Sequence, residues 1–392
     1  MAANDRETSF IHTGEEKDQA FKAVVPPVYK ATTYHHADPW DPPPYDYARS
    51  GNPTRQAFES ALAKLEGGVQ GFAFSSGMSA ITAALMLFSA GDHLLVTKDC
   101  QGGTQRVLRD VFSRFGIEVS YVNTDQLEEL QSQRQNNTKA VFVENFSNPF
   151  LRVTDIGQVS EWAKSWGLLT LVDNTFLTPY LQRPLSLGAD LVIHSASKMI
   201  AGHSDVTAGI AVALEPELAH HLYFIQNATG MALSPDDAYQ AFRGLKTLPL
   251  RMDRAQASAL TLAKALTDWP EVTQVYYPGL VTDPGHETAQ RTANGFGAML
   301  SFRLESPDRV REMVKRLRLT VIGAGFGGAE TSISLPELHC HAALTREERF
   351  ERGITSNIVR VSVGLENSAD IVAEFQRAIH FHQNTARRIP RP

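Results

Sequence analysis

Residues 139–172, KAVFVENFSNPFLRVTDIGQVSEWAKSWGLLTLV, decide the fold class of this chain. Two apolar runs, KAVFV at 139–143 and LLTLV at 168–172, flank an amphipathic segment at 155–166. Continuous apolar runs are typical of strands that are buried on both faces, and a helical segment between two of them is typical of neighbouring parallel strands. The stretch therefore predicts a strand–helix–strand unit.

Apolar runs of the same kind recur on both sides of this unit, at 71–75, 94–97, 117–122, 190–194 and 207–214. Together the seven runs predict an α/β fold with a seven-stranded, mostly parallel sheet covered by helices on both faces. After residue 214 the pattern changes to a long helical region at about 235–267. The remainder is typical of an α+β unit, with strands near 297–304 and 358–363 and helices near 307–317, 345–352 and 368–382.

The first fifty residues differ from the rest because prolines interrupt them repeatedly between 26 and 44. Proline removes a backbone donor and fixes φ, so this segment is expected to be an irregular arm. A helix should follow, with Asn52 as its cap and Pro53 in its first turn. We therefore predict an arm at 1–50, a large cofactor-binding domain at 51–245 and a smaller α+β domain at 246–392.

Composition excludes several classes of protein. Of the 392 residues, 43% are hydrophobic and 20% are charged, which is ordinary for a globular protein and not for a disordered or fibrous one. The formal net charge of −6 gives no bulk attraction to nucleic acid or to an anionic membrane. Two cysteines cannot form a disulfide framework, and they are expected to be buried and inert. The opening residues contain no apolar segment typical of a signal peptide. We therefore expect a cytoplasmic protein without a nucleic-acid or membrane partner.

Chemistry-bearing residues follow four of the predicted strands, where ligands bind in a sheet of this kind. The segment Ser76-Gly77-Met78 follows the run at 71–75, Glu144 follows 139–143, and Asp173 follows 168–172. The segment Ser195-Ala196-Ser197-Lys198 follows 190–194. Each segment alone is ordinary: serine caps helices, aspartate ends strands, and lysine is usually solvated. As a set they supply what pyridoxal phosphate requires, namely an anion site, a carboxylate for the pyridine nitrogen and a Schiff-base lysine.

The chain resembles the Cys/Met-metabolism family of pyridoxal-phosphate enzymes, the transsulfuration enzymes. The resemblance extends over nearly the whole chain and rests on the motifs YARSGNPT (47–54), FSSGMSAI (74–81), VDNTF (172–176), HSASKMIAGHSD (194–205), LSPDDA (233–238), RGLKTLPLRM (243–252) and VRVSVGLEN (359–367). It implies the aspartate-aminotransferase-like architecture known as PLP fold type I. It also implies a homotetramer, a dimer of dimers, with active sites shared between chains.

The resemblance also implies roles for individual residues. Lys198 would bind the cofactor and later move the Cα proton, and Asp173 would hold the pyridine nitrogen positive. Arg360 would bind the substrate carboxylate, with Asn148 nearby, since a guanidinium suits a carboxylate. The cofactor phosphate would be held by Gly77, Met78, Ser195 and Ser197 of one chain and by Tyr47 and Arg49 of its neighbour.

Three positions depart from the family pattern, and all three are expected near the substrate. Gln101 stands where the family has a tyrosine that stacks on the cofactor ring and moves protons. Glutamine cannot act as an acid, although it can still lie over the ring and form hydrogen bonds. Gly325 begins the segment Gly-Phe-Gly-Gly where the family has Ser-Leu-Gly-Gly, so a hydroxyl beside the substrate carboxylate is lost. Phe146 replaces the first proline of Pro-x-Asn-Pro. Such changes are also compatible with ordinary divergence within the family.

These features predict γ-elimination or γ-replacement on a γ-substituted L-amino acid. Because Gln101 is no acid, the sequence favours a leaving group that needs no protonation, such as a halide; 4-chloroallylglycine would then give an alkyne amino acid. The alternatives are an ordinary cystathionine γ-synthase or γ-lyase or O-acetylhomoserine sulfhydrylase, a β-lyase, and a non-catalytic homologue.

Two further patterns in the sequence suggest other chemistry. Residues 321–328 match the dinucleotide fingerprint GxGxxG, but the next residues predict a strand and a proline instead of the required helix. The pairs His339-x-His341 and His380-x-His382 could bind a metal, but neither has a framework of acidic or cysteine ligands beyond Cys340. We expect surface histidines and no metal site.

Overall fold

The structure is a computed structural model that describes residues 6–14, 21–38 and 40–380. A sheet of seven strands forms its centre. The strands lie in the spatial order β1-β7-β6-β5-β4-β2-β3. They are β1 (Gln70–Phe74), β2 (His93–Thr97), β3 (Glu118–Val122), β4 (Thr138–Glu144), β5 (Leu169–Asp173), β6 (Leu191–His194) and β7 (Gly209–Ala213).

The direction of these strands confirms the prediction of a mostly parallel sheet. Strands β2 to β6 form parallel pairs, and β7 is antiparallel to both β1 and β6. Parallel strands need crossover segments, and helices supply them. The helices of this part of the chain are α2 (Pro53–Glu66), α3 (Gly77–Leu85), α4 (Gly102–Asp110), α5 (Leu127–Gln133), α6 (Ile156–Ser165), α7 (Thr178–Leu181) and α8 (Pro216–Thr229), with 3₁₀ turns at Phe112–Phe115 and Pro184–Leu187.

The sheet is buried on both faces, as the uninterrupted apolar runs predict. Successive strand residues point to opposite faces. In β4, Val141 and Val143 belong to one apolar cluster, which includes residues of α2 and α6. Ala140 and Phe142 belong to a second cluster, which includes residues of α3, α4 and α8.

A second sheet of five strands lies in the C-terminal part of the chain, in the order β10-β11-β12-β9-β8. Its strands are β8 (Val272–Tyr276), β9 (Met299–Leu304), β10 (Val321–Ile322), β11 (Ser332–Ser334) and β12 (Ile358–Ser362). The helices that precede and accompany it are α9 (Pro235–Leu245), α10 (Leu248–Thr267), α11 (His286–Thr292), α12 (Pro307–Arg316), α13 (Arg346–Glu351) and α14 (Ser368–Ile379). The domain limits at residues 50 and 245 remain predictions.

Several elements differ from the prediction. The arm contains a helix, α1 (Arg6–His12), which is stabilised by packing of its buried Phe10 ring edge-on against Tyr180, 5.8 Å between ring centroids. Such a short helix depends on tertiary contacts, which no local pattern reveals. The strand β8 was not predicted, because its residues are mostly exposed or half-buried and form no apolar run. Within the described residues, no helix is long and apolar enough to cross a membrane.

Candidate active site

A cavity of about 500 Å³ lies where the carboxyl ends of β4, β5 and β6 meet the second sheet. The sequence predicted part of its polar lining. The predicted residues that line it are Gly77, Met78, Gln101, Asn148, Asp173, Ser195, Ser197, Lys198, Gly325 and Arg360. Residues from both sheets therefore contribute to one site.

The start of α3 forms an anion site at one end of this cavity. The Ser76 side chain accepts a hydrogen bond from the Ser79 N–H at 3.0 Å and so caps the helix. A Cβ atom on Gly77 would lie 2.6 Å from the Ser195 Cβ, so only glycine allows the loop after β6 to approach the helix. The N–H groups of the first turn, including that of Met78, have no partner within the helix. This is the arrangement in which helix N-termini bind phosphate.

The two serines of the loop after β6 differ in their hydrogen bonds. The Ser197 hydroxyl donates to the Ala208 carbonyl at 3.0 Å and accepts from the Ala208 N–H at 2.9 Å. Ser197 can therefore donate to a phosphate only if its hydrogen leaves that carbonyl. Ser195 donates its backbone N–H to the Thr175 hydroxyl at 2.9 Å, which joins the ends of β5 and β6.

Asp173, the last residue of β5, supplies a buried carboxylate to the cavity floor. Its Oδ1 accepts the Thr175 N–H at 3.0 Å and a bond from the Thr175 hydroxyl. Burial raises the pKa of Asp173, and the hydrogen bonds from Thr175 and the nearby His194 oppose that rise. A protonated ring nitrogen would stabilise the ionised carboxylate, so the position suits a pyridinium.

Lys198 lies on the turn after β6, where its backbone N–H donates to the Ser195 carbonyl at 3.1 Å. Burial lowers the pKa of Lys198, and the Arg360 charge lowers it further. A lysine with a lowered pKa carries more of the neutral amine that attacks a carbonyl carbon. The Arg251 guanidinium stabilises the turn by donating hydrogen bonds to the carbonyls of Met199 at 2.6 Å and Ile200 at 3.0 Å.

Arg360 enters the cavity from β12 of the second sheet and is only 2% exposed. Its Nη1 donates to the Asn148 Oδ1 at 2.9 Å. The Phe326 ring is close to both basic side chains, with its centroid 5.0 Å from the Arg360 Cζ and 4.6 Å from the Lys198 Nζ. No carboxylate is salt-bridged to Arg360 among the described residues, so the guanidinium is available for an anionic ligand.

Gln101 reaches the cavity, but its side chain serves α4 as well. The Oε1 atom accepts the N–H groups of Gly103 at 2.7 Å and Thr104 at 3.2 Å, so Gln101 caps the helix. Only the amide NH₂ remains for the cavity. The Gln101 backbone N–H donates to the Glu144 Oε2 at 2.6 Å.

Glu144 is a site residue to which the sequence assigned no role. It ends β4, lies beside Asp173 in register and is buried. Burial and the Asp173 charge hold the pKa of Glu144 well above its usual range. Its place directly after an apolar strand was the signal that could have identified it.

Tyr47 and Arg49 lie outside the cavity of their own chain. Tyr47 is 41% exposed, and the Arg49 guanidinium lies over its ring at 5.6 Å. The structure does not bring these two predicted cofactor residues to the other site residues, so their predicted contact with a neighbouring chain remains untested.

Two predictions about other residues were wrong. Of the predicted surface histidines, His339 lines the cavity, and burial lowers the pKa of the fully buried His341 to about 3. Both cysteines were predicted to be buried and inert; Cys100 is buried, whereas Cys340 is partly exposed and lines the cavity. His380 pairs with Glu271, and His382 lies outside the described residues. In the described part of the chain no three histidine, cysteine or acidic residues are grouped as metal ligands. After residue 328 no helix follows the glycines, but β11 does, as expected.

Comparison with known proteins identifies the family. The model of the family described as Cys/Met metabolism PLP-dependent enzyme matches residues 7–380. The chain belongs to this family. It is 44% identical over 374 residues to cystathionine gamma-lyase of Bacillus subtilis, covering 95% of this chain and 99% of that protein. It is also 44% identical over 372 residues to a cystathionine beta-lyase of Lactococcus lactis, covering 95% and 98%.

Solved structures agree with this assignment. Cystathionine gamma synthase from Xanthomonas oryzae superimposes with a TM-score of 0.93 at 40% identity, covering 95% of this chain and 97% of that one. Cystathionine gamma-lyase from Lactobacillus plantarum gives 0.92 at 39% identity, covering 95% and 98%. The protein is thus a PLP-dependent enzyme of fold type I. The free amides of α3, the buried Asp173 carboxylate and the Lys198 amine fit the phosphate, ring nitrogen and aldehyde of the cofactor.

Proposed function

We propose that this enzyme breaks or exchanges the bond between Cγ and a heteroatom in a γ-substituted L-amino acid, by γ-elimination or γ-replacement. The observation that carries the proposal is the convergence of Lys198, Asp173 and Arg360 on one cavity. These three groups differ in chemistry and come from two sheets, and a purely structural role would not require them to face one another. The names of the relatives support the same substrate class.

The proposed roles follow from the contacts. When bound, pyridoxal phosphate supplies the electron sink for negative charge on the substrate carbons. Arg360 binds the substrate carboxylate, and Asn148 fixes the guanidinium through the bond at 2.9 Å. Asp173 keeps the ring nitrogen protonated, and the Lys198 amine takes the proton from Cα because its lowered pKa leaves it free to accept one. The start of α3 binds the phosphate.

We further propose that the leaving group departs as a weak base. Gln101 supports this refinement, because it has no ionisable proton and its oxygen is used in capping α4. A carboxylate, as in O-acetylhomoserine, or a halide meets the requirement, whereas a thiolate is a stronger base. None of the relatives described above is named for a halogenated substrate, so the comparisons give the halide no support.

The arm supports a shared site in a dimer-based oligomer. Trp40 is 90% exposed and Val24 88% exposed, on a segment tied to its own chain where the Asn52 amide donates to the Tyr29 carbonyl at 2.8 Å. Large apolar side chains exposed on one segment are typical of a contact with another chain. We propose that a second copy covers this arm and receives Tyr47 and Arg49 at its phosphate site.

One experiment tests the function and its refinement together. The holoenzyme is given cystathionine, O-acetylhomoserine and a γ-chloro amino acid, and 2-ketobutyrate, thiol, halide and replacement products are measured. Turnover of any of them with loss of the γ substituent supports the function, and exclusive β-elimination contradicts it. The Gln101→Tyr variant should shift the ratio of kcat/KM values toward cystathionine. An unchanged ratio, with cystathionine already the best substrate, contradicts the leaving-group refinement.

A further inference from the structure

A turn at residues 335–341 forms the wall of the cavity beside the start of α4. The turn is held by its own backbone, with the His339 N–H bonded to the Leu335 carbonyl at 3.0 Å. A Cβ atom on Gly102 would lie 1.9 Å from the Cys340 carbonyl oxygen, so the turn rests directly on the residue after Gln101. His339 and Gln101 therefore line the cavity from two adjacent turns.

The hydrogen bonding of His339 fixes where its ring carries a proton. The Leu335 backbone N–H donates to the His339 Nδ1 at 3.0 Å. A backbone N–H can only donate, so Nδ1 is an unprotonated acceptor and the hydrogen of the neutral ring is on Nε2. Among the described residues no protein group is hydrogen-bonded to Nε2. The ring thus presents one N–H donor that its own chain does not use.

The position of this donor indicates which part of the substrate it meets. If Lys198 and Asp173 serve the cofactor and Arg360 binds the α-carboxylate, the part of the substrate without a partner is the γ substituent. The polar lining that remains for it includes Gln101 and His339 from the two adjacent turns, together with the exposed Arg106 of α4. Within that lining, the Gln101 oxygen is already bonded to the helix.

We propose that the His339 Nε2–H donates a hydrogen bond to the leaving atom on Cγ and stabilises the negative charge that develops there. The proposal rests on the proposed function. When the bond between Cγ and the leaving atom breaks, both electrons depart with that atom, and the anion later takes its proton from water. His339 does not supply the proton, because loss of the Nε2 hydrogen would leave an anionic ring. One donor aimed at developing charge is typically worth about 10²–10³ in kcat.

Two substitutions in the holoenzyme separate this role from others. His339→Phe removes the donor but keeps a ring, and it should lower the rate of product formation at least tenfold. His339→Gln retains an N–H donor without a titratable group, and it should recover most of the loss. The deuterium exchange rate at Cα, measured in D₂O, should stay within about twofold of wild type in both variants, because that step precedes departure of the leaving group. Leu338→Ala, on the exposed side of the same turn, is the matched control and should behave as wild type.

Each other outcome overturns the proposal. Equal rates of product formation by wild type and His339→Phe would show that the donor does not contribute. A parallel loss of Cα exchange shows that His339 supports the whole site and not the leaving group. If His339→Gln is as slow as His339→Phe while Cα exchange persists, the ring transfers a proton instead of only donating a hydrogen bond. If wild-type enzyme exchanges no Cα proton with any amino acid, the proposed function itself has failed, which is a separate result.

Discussion

The Arg360 guanidinium donates to the Asn148 side chain at 2.9 Å and thereby joins residues 212 positions apart in the chain. Arg360 belongs to β12 of the five-stranded sheet, whereas Asn148 follows β4 of the seven-stranded sheet. Both side chains are buried. The contact therefore joins the two sheets at the cavity, where we propose that Arg360 binds the substrate carboxylate.

Arg360→Ala should weaken substrate binding strongly. A hydrogen bond to a charged group contributes about 1.5–3 kcal/mol, so we expect kcat/KM to fall about 10- to 100-fold or more, chiefly through KM. Arg360→Lys keeps the charge but not the paired N–H donors of the guanidinium, and it should recover only part of the loss. Steady-state kinetics with cofactor content measured in parallel provides the check. An unchanged KM in Arg360→Ala would place the substrate carboxylate elsewhere.

Lys198→Ala should abolish turnover while the cofactor remains bound without a covalent link. The α3 amides and Asp173 do not depend on the lysine, so the phosphate and ring contacts survive. Borohydride reduction followed by denaturation distinguishes the two proteins: wild type retains the cofactor on the chain and the variant releases it. Arg251→Lys is a useful companion, because it loosens the turn that carries Lys198 without removing the amine. Normal turnover by Lys198→Ala would refute the assignment of the lysine.

Mixed oligomers test whether the arm serves a neighbouring chain. Arg49→Ala and Lys198→Ala chains should each be nearly inactive. After random reassembly about half of the dimers are hybrids, and each hybrid holds one site with both native residues. About a quarter of the sites should then be active. Absence of recovery in oligomers whose mixing is verified by mass would contradict sharing.

The sequence predicted the sheet and the placement of Asp173 and Lys198 at the cavity for a physical reason. Buried parallel strands need uninterrupted apolar runs, and the residue after such a run must lie at the ligand-binding edge; Asp173 and Lys198 were found in this way. The Gln101 cap, the His339 bond to Leu335 and the burial of His341 depend on the loops that pack around the cavity. Hydrophobic periodicity in the sequence cannot predict those contacts, because they join irregular segments.

Glu144 offers a test of electrostatics that is independent of substrate. Burial and the neighbouring Asp173 hold the pKa of Glu144 well above its usual range, so the folded protein retains a proton that the unfolded chain releases above about pH 4.3. Because the folded state binds more protons, this group costs stability as pH rises from that value toward the folded pKa. Glu144→Gln is neutral at every pH, and its Oε1 can still accept the Gln101 N–H.

The thermal midpoint of the Glu144→Gln holoenzyme should therefore rise relative to that of wild type as pH increases from about 5 to 8. Between the unfolded and folded pKa values, each pH unit changes the free energy of unfolding of wild type by about 1.4 kcal/mol per group. While Glu144 is protonated it carries no charge, as glutamine does, so Asp173 contributes about equally to both profiles. Glu128→Gln, at an exposed position of α5, is the matched control for the replacement of one carboxylate by an amide. A midpoint difference between Glu144→Gln and wild type that stays constant over this range would mean that Glu144 is ionised in the folded enzyme. Its charge would then have to be balanced at close range, and Arg360 is the cation whose attraction already opposes the rise in its pKa.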